Sequence, residues 1–382
     1  GHPTGKLNWR TVRNDYRTLL GSPQFLGFAI GGGSATTSMY AFIAAAPFIF
    51  IEQLHTSKAQ LGIYLGVLMA GMAAGNALAR QLILGADVVV ENNRPGVMDR
   101  LGLGWDAMSA EKPQLLYCSI SAYGQTGPRS TEGGFDLTIQ AASGVMSVTG
   151  EPGGAPVKCG VPLVDFASGL YAAFTIAAML VQVRAGGRGA HIDIPMFGCT
   201  LGIAALQTSE YFGTGKSPIK RGSAHPRNAP YQAFQAQDGY FAIAAGNHKL
   251  WLSVLDVVGL PKLAEDARFL TPTDRAQHQD APRELLEAVF HRQPVAHWID
   301  AFNAAGVPHA RINDYAAALA DPQAAHMGWV QPLTLPNGQQ THTFASPVRL
   351  NGQGFPIRRP PPALGEHTAE IRAEQAAKQE RP

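Results

Sequence analysis

Gly85-Ala86-Asp87-Val88-Val89-Val90-Glu91-Asn92-Asn93-Arg94-Pro95-Gly96 is the stretch that decides the fold. Its β-branched run breaks on a cluster of turn residues, which reads as a strand followed by a loop. Working outward, Trp105 to Glu111 is a short helix, Leu115 to Ile120 an apolar strand, and Gly124-Gln125-Thr126-Gly127-Pro128 the turn that ends it. Phe135 to Ser147 is helical by pattern. Asp165 to Arg184 is apolar on nearly every face, as a helix buried against a sheet would be, and Ala190 to Ile194 supplies a further strand. Strands alternating with helices predict an α/β architecture.

Past about Ser217 the pattern shifts. Tyr231 to Phe234 and Gly239 to Ala244 are strand-like around Gln237-Asp238-Gly239, a helical region runs from Lys249 to about Leu319, and Trp329 to Leu350 is strand-rich. Pro360 to Pro362 mark an extended crossing. The expected organisation is a large α/β domain over 84–215 and about 330–382, with a smaller α+β domain over 216–329.

Residues 1–83 read differently. Between Thr18 and Ala79 only Glu52 and Lys58 are charged, which leaves uncharged runs at Phe25–Ile51 and Ala59–Ala79. Each is long enough for a hydrocarbon core that needs about 20 helical residues. Lys6, Arg10, Arg13 and Arg17 before the first run and Arg80 after the second place both ends in the cytoplasm by the positive-inside rule. An apolar two-helix hairpin with membrane contact through 25–79 is therefore expected, against the alternative of two buried helices in a soluble domain.

The chain has 382 residues, 46% hydrophobic and 15% charged, with a net charge of +2. Such a composition excludes disorder for most of the chain, and the charge offers no basic field for nucleic acid. Three cysteines, Cys118, Cys159 and Cys199, are too far apart for a zinc or redox pair and fit a reduced, cytoplasmic compartment. Zinc-helix, nucleophile-elbow and phosphate-loop signatures are absent, and the twelve histidines are scattered, so no metal site is expected.

The remaining chemical candidate is Asp165, in Gly160-Val161-Pro162-Leu163-Val164-Asp165-Phe166-Ala167-Ser168-Gly169, where the long apolar helix begins. Aspartate there serves either as a cap that accepts from unpaired backbone N–H groups or as a carboxylate nucleophile. On the second reading those N–H groups and the helix dipole keep it ionised, and the small Ala167 and Gly169 leave room for a substrate.

Several motifs then fall in order. Glu91-Asn92-Asn93-Arg94-Pro95-Gly96-Val97-Met98-Asp99-Arg100-Leu101-Gly102, Ser119-Ile120-Ser121, Gly124 to Pro128, Gly134-Phe135-Asp136 and Lys158 to Asp165 are followed by Ala229-Pro230-Tyr231, Asp238-Gly239-Tyr240, Gly246-Asn247 with Trp251, Ala305-Gly306-Val307-Pro308, Asp321-Pro322-Gln323 and Leu364-Gly365-Glu366-His367-Thr368. Over about 84–371 the sequence resembles the family III CoA-transferases, the CaiB/BaiF family. The resemblance implies a Rossmann-like large domain, an interlocked homodimer, and an acyl-CoA and a carboxylic acid as substrates, with no tightly bound cofactor.

It also implies that Asp165 attacks the donor thioester to form a mixed anhydride and then an aspartyl-CoA thioester. The family's CoA contacts fall on Asn92, Asn93, Arg94, Arg100, Gly133, Gly134, Phe135 and Asp136. Asn93 stands where the family usually has an aromatic residue. Related racemases place a catalytic histidine where this chain has Phe135, which cannot move a proton, so racemisation is disfavoured. The formyl-CoA branch has a glycine run where Lys220 to His225 holds only Gly222, so a formyl-CoA/oxalate pairing is not expected; small dicarboxylates are.

Residues 13–79 loosely resemble part of a drug-efflux transporter of the major facilitator type. Two spans cannot enclose a substrate path, so transport is not expected. The family's first strand–helix unit is not found ahead of the Asn-x-Arg-Pro-Gly motif. The competing expectation is a catalytically impaired, membrane-associated fusion.

Overall fold

The computed structural model describes residues 57–379. The first apolar run and most of the transporter-like segment lie outside the described residues. The second run falls in a helix at Lys58–Gly85 whose Gly62–Gly85 portion has a mean hydropathy of 1.5, with none of its most apolar window buried. The chain forms two compact units, Gly1–Ile83 and Leu84–Pro382. In the second unit the Lys112 ammonium donates to the carbonyls of Leu84 and Ala86, which fixes the entry to the first strand.

That strand is β1, Val88–Glu91. It pairs in parallel with β2, Leu116–Ser121, which pairs in parallel with β3, Ala190–Pro195, so Val90, Cys118 and Ile192 lie side by side. Parallel strands need crossovers, and helices at Trp105–Glu111 and Leu163–Arg184 lie in the two connections. Around Cys118, the buried Ile192, Ile194, Ala172 and Cys199 form the core between the sheet and the Leu163–Arg184 helix.

The sequence pattern differs from the structure at two points here. The Phe135–Ser147 helix is broken into Asp136–Ala142 and Val145–Val148, because Gly144 takes a left-handed φ of 86° that a continuous helix cannot contain. The Leu163–Arg184 helix is not buried all round. Val164, Ala167, Ser168 and Ala172 are buried, whereas Phe166, Leu170, Phe174 and Val181 are 65%, 68%, 58% and 71% exposed along one helical stripe. One sheet can cover only one face of a helix.

The smaller sheet is antiparallel: β4, Tyr231–Gln235, pairs with β5, Tyr240–Ala244, which pairs with β6, His309–Arg311. Strand β6 interrupts the region expected to be helical; three residues hold too little pattern to be read as a strand, and pairing with β5 creates it. Helices at His248–Val258, Asp280–Phe290 and Val295–Ala304 contribute to an aromatic core in which Phe290 meets Phe241 and Trp298 edge-on, each at 5.0 Å. A separate hairpin, β7 at Val330–Thr334 and β8 at Gln340–Phe344, accounts for part of the strand-rich C-terminal stretch.

Candidate active site

All three parallel strands end at one cavity of about 570 Å³, within the ~300–1,000 Å³ of small-molecule sites. Asn92, Asn93, Arg94 and Pro95 follow β1; Ser121 and Ala122 lie at the end of β2; Met196 follows β3. Open parallel sheets bind ligands at this edge because the loops leaving the strand ends converge there.

The turn after β1 is set locally. Glu91 accepts from the Asn93 N–H at 2.7 Å, and the Asn92 side chain donates to the Ile120 carbonyl at 2.7 Å, which ties the loop to β2. Gly96, at φ 79°, redirects the chain into the Val97–Arg100 turn. Arg94 is thereby held over Gly133: a Cβ built on that glycine would stand 2.7 Å from an Arg94 guanidinium nitrogen. Among the described residues Arg94 has no carboxylate partner, so its charge faces the cavity uncompensated.

The loop after β2 is braced from outside. Arg129 pairs with Glu132 at 2.7 Å and lies over the Tyr123 ring at 3.8 Å, so the acidic wall residue Glu132 is neutralised. Gly134 is pressed against Ala122 and Ile139, each 2.9 Å from where a Cβ would sit. Phe135, 82% exposed, stands at the cavity and begins the Asp136–Ala142 helix, its N–H donating to the Thr138 hydroxyl at 2.9 Å.

Asp165 lies in the first turn of the Leu163–Arg184 helix and lines the cavity, beside Ser168 and Gly169. Its carboxylate makes no hydrogen bond among the described residues. Desolvation, followed by the Asp136 charge, holds the Asp165 carboxyl above the usual carboxylate range. This corrects the expectation that first-turn N–H groups would favour its ionised form: the Val164 N–H is taken by Asp136 at 2.9 Å, and Pro162 at the cap position offers no side-chain bond.

The cavity therefore brings together Asn92, Asn93, Arg94, Gly133, Gly134, Phe135 and Asp165, and leaves out Arg100 and Asp136. Sequence reasoning missed Ser121, Thr138, Ser168 and Met196 as lining residues. Ser121 had a signal, as the last residue of an apolar strand; the others are placed by packing alone. No cluster of metal-ligating side chains occurs among the described residues.

The family model for CoA-transferase family III matches residues 58–368. The chain belongs to that family. The match reaches back into the Lys58–Gly85 helix, ahead of residue 84, where the recognisable motifs begin. This family III CoA-transferase is 37% identical to the acetyl-CoA:oxalate CoA-transferase of Acetobacter aceti, over 87% of this chain and 84% of the relative. It is 33% identical to the succinate–glutarate CoA-transferase of Agrobacterium fabrum, over 78% of this chain and 75% of that one. A solved CaiB/BaiF family protein from Brucella suis is 37% identical, superposes with a TM-score of 0.68, and covers 79% of each chain. The chain is thus a CoA-transferase by family, with the mixed α/β fold and parallel sheet that this family shows.

Proposed function

We propose that this enzyme moves CoA from an acyl-CoA to a small carboxylic acid through covalent intermediates on Asp165. The observation that carries the reading is an unbonded carboxylate at the carboxyl ends of three parallel strands, in one cavity with an uncompensated arginine. The Asp165 carboxylate attacks the thioester carbonyl, the C–S bond breaks, and CoA leaves as thiolate with a mixed anhydride in place. The thiolate then attacks the aspartyl carbonyl and releases the donor acid, which leaves an aspartyl-CoA thioester. An acceptor carboxylate repeats the sequence in reverse and departs as acyl-CoA, restoring Asp165. Electrons and protons balance without a metal or redox step.

Arg94, with Asn92 and Asn93, is suited to CoA phosphate or adenine, since guanidinium offers charge and a flat face. Gly133 lets Arg94 approach the backbone closely, Gly134 lets Ala122 and Ile139 pack against the loop, and Phe135 supplies an apolar edge. A dicarboxylic acceptor is favoured by the names of the relatives, one of which acts on oxalate and another on succinate and glutarate. That oxalate-directed relative reopens oxalate as an acid, apart from any formyl-CoA donor.

The exposed Phe166, Leu170, Phe174 and Val181 stripe supports a homodimer in which a second copy covers it. The free Cys118, Cys159 and Cys199 support cytoplasmic placement of the transferase body. The unburied apolar helix at Gly62–Gly85 supports membrane association of the N-terminal part, which resistance to carbonate extraction would test.

The deciding experiment incubates the full chain with acetyl-CoA or succinyl-CoA and a panel of oxalate, succinate and glutarate, with mass spectrometry of the enzyme. A CoA adduct on Asp165 and loss of transfer in Asp165→Ala are expected. Undiminished transfer by Asp165→Ala would sink the mechanism.

A further inference from the structure

Asp136 lies outside the cavity, yet every contact it makes bears on the residue inside it. Its Oδ1 accepts from the Val164 N–H at 2.9 Å, and its Oδ2 accepts from the Gln140 side-chain amide at 2.7 Å. Gln140 is fully buried, and its own carbonyl oxygen accepts from the Cys159 N–H at 2.8 Å. One clamp thus joins the Asp136–Ala142 helix, the segment leading to Pro162 and the first turn of the Leu163–Arg184 helix.

A helix start leaves four backbone N–H groups without internal partners, and a first-turn acid is a natural acceptor for them. Here the acceptor comes from Asp136, far back in the sequence. Asp165 is left with both oxygens uncommitted. We propose that Asp136 is the positioning residue of the Asp165 nucleophile: it fastens the first turn of that residue's helix and sets a fixed negative charge beside it, which leaves the Asp165 carboxylate unbonded and more reactive.

The hydrogen-bond directions distinguish the two acids. Both Asp136 oxygens face N–H donors, so Asp136 is an acceptor at both positions. Asp165 has no donor, and desolvation followed by the Asp136 charge holds its carboxyl above the usual carboxylate range. The other charged groups around the cavity are Arg94, from the loop after β1, and Glu132, paired with Arg129, from the loop after β2; Met196 after β3 brings none. A carboxylate held above the usual range is a better nucleophile for being more basic.

The inference rests on Asp165 as nucleophile, and its test separates the two. The difference in melting temperature between the unsubstituted chain and Asp165→Asn, followed from about pH 3 to 8, reports ionisation of Asp165 without any turnover. Repeating the comparison in an Asp136→Asn background, where the neighbour keeps an oxygen for Val164 but loses its charge, should shrink the difference at neutral pH and move the pH at which it levels off downward, because the folded-state value sets the plateau while the unfolded-state value sets the onset. The acid limb of kcat/KM should move the same way, with kcat reduced roughly tenfold or more and the KM for acyl-CoA little changed. If Asp136→Asn does not fold, Asp136→Ser takes its place. An unchanged plateau and levelling-off pH in a folded Asp136 variant overturn the proposal. Retained transfer by Asp165→Asn overturns the nucleophile instead, while the melting curves still report on Asp136.

Discussion

Replacing Gly133 with alanine separates the architecture of the site from its ligand binding. A Cβ at 133 would lie 2.7 Å from one Arg94 guanidinium nitrogen, 3.0 Å from Nε and 3.1 Å from Cζ, and meets no backbone at such distances. The far end of a long side chain gives way, so folding loses little: within about 0.5 kcal/mol, as at ordinary surface positions. The guanidinium, however, is displaced from the place where it would meet a phosphate. A hydrogen bond to a charged group contributes about 1.5–3 kcal/mol, so CoA affinity should fall roughly 10- to 100-fold. Titration calorimetry with CoA measures this, and a thermal melt checks the fold. Arg94→Ala should weaken binding by a similar factor, and the double variant should do no more than either alone because both act through one contact. Wild-type affinity in Gly133→Ala, or losses that add in the double variant, would refute the assignment of Arg94 to the ligand.

The neighbouring glycine should behave in the opposite way. Gly134→Ala drives a methyl against Ala122 and Ile139 at 2.9 Å, inside a packed cluster, and should cost about 1–3 kcal/mol of stability in a denaturant titration. Asp165→Asn should raise the melting temperature at pH 7. A carboxyl whose folded value is raised binds its proton more tightly folded than unfolded, so stability is lost as pH rises from the unfolded value of about 3.9 through the folded one, and the gain from asparagine vanishes below that window. Phe174→Asp, on the exposed stripe, should shift the chain from dimer to monomer in light scattering without loss of the fold; an unchanged mass would remove that helix face from the interface.

Much of the fold was legible because its signals are local. Val88-Val89-Val90 and the Asn92–Gly96 turn specify β1 and its loop from neighbouring residues alone, and Leu115 to Ile120 does the same for β2. Asp165 was legible by elimination: it is an acid at the start of an apolar helix. The role of Asp136 was not, since the resemblance pointed to a CoA contact while the structure commits both its oxygens to Val164 and Gln140. Arg100 falls outside the cavity for a similar reason, because the turn at Gly96 carries the following residues away from the strand ends.

Sequence by itself determined the parallel αβ framework, the family and the acid that stands in the cavity, because strand pattern, turn chemistry and ordered motifs are written in consecutive residues. Only the tertiary structure decided which acid caps the helix and which stays unbonded, and which face of Leu163–Arg184 the sheet covers. Both depend on groups brought together across the chain: a hydrogen bond from Val164 to Asp136 and the packing of one helix on one sheet have no counterpart in local spacing.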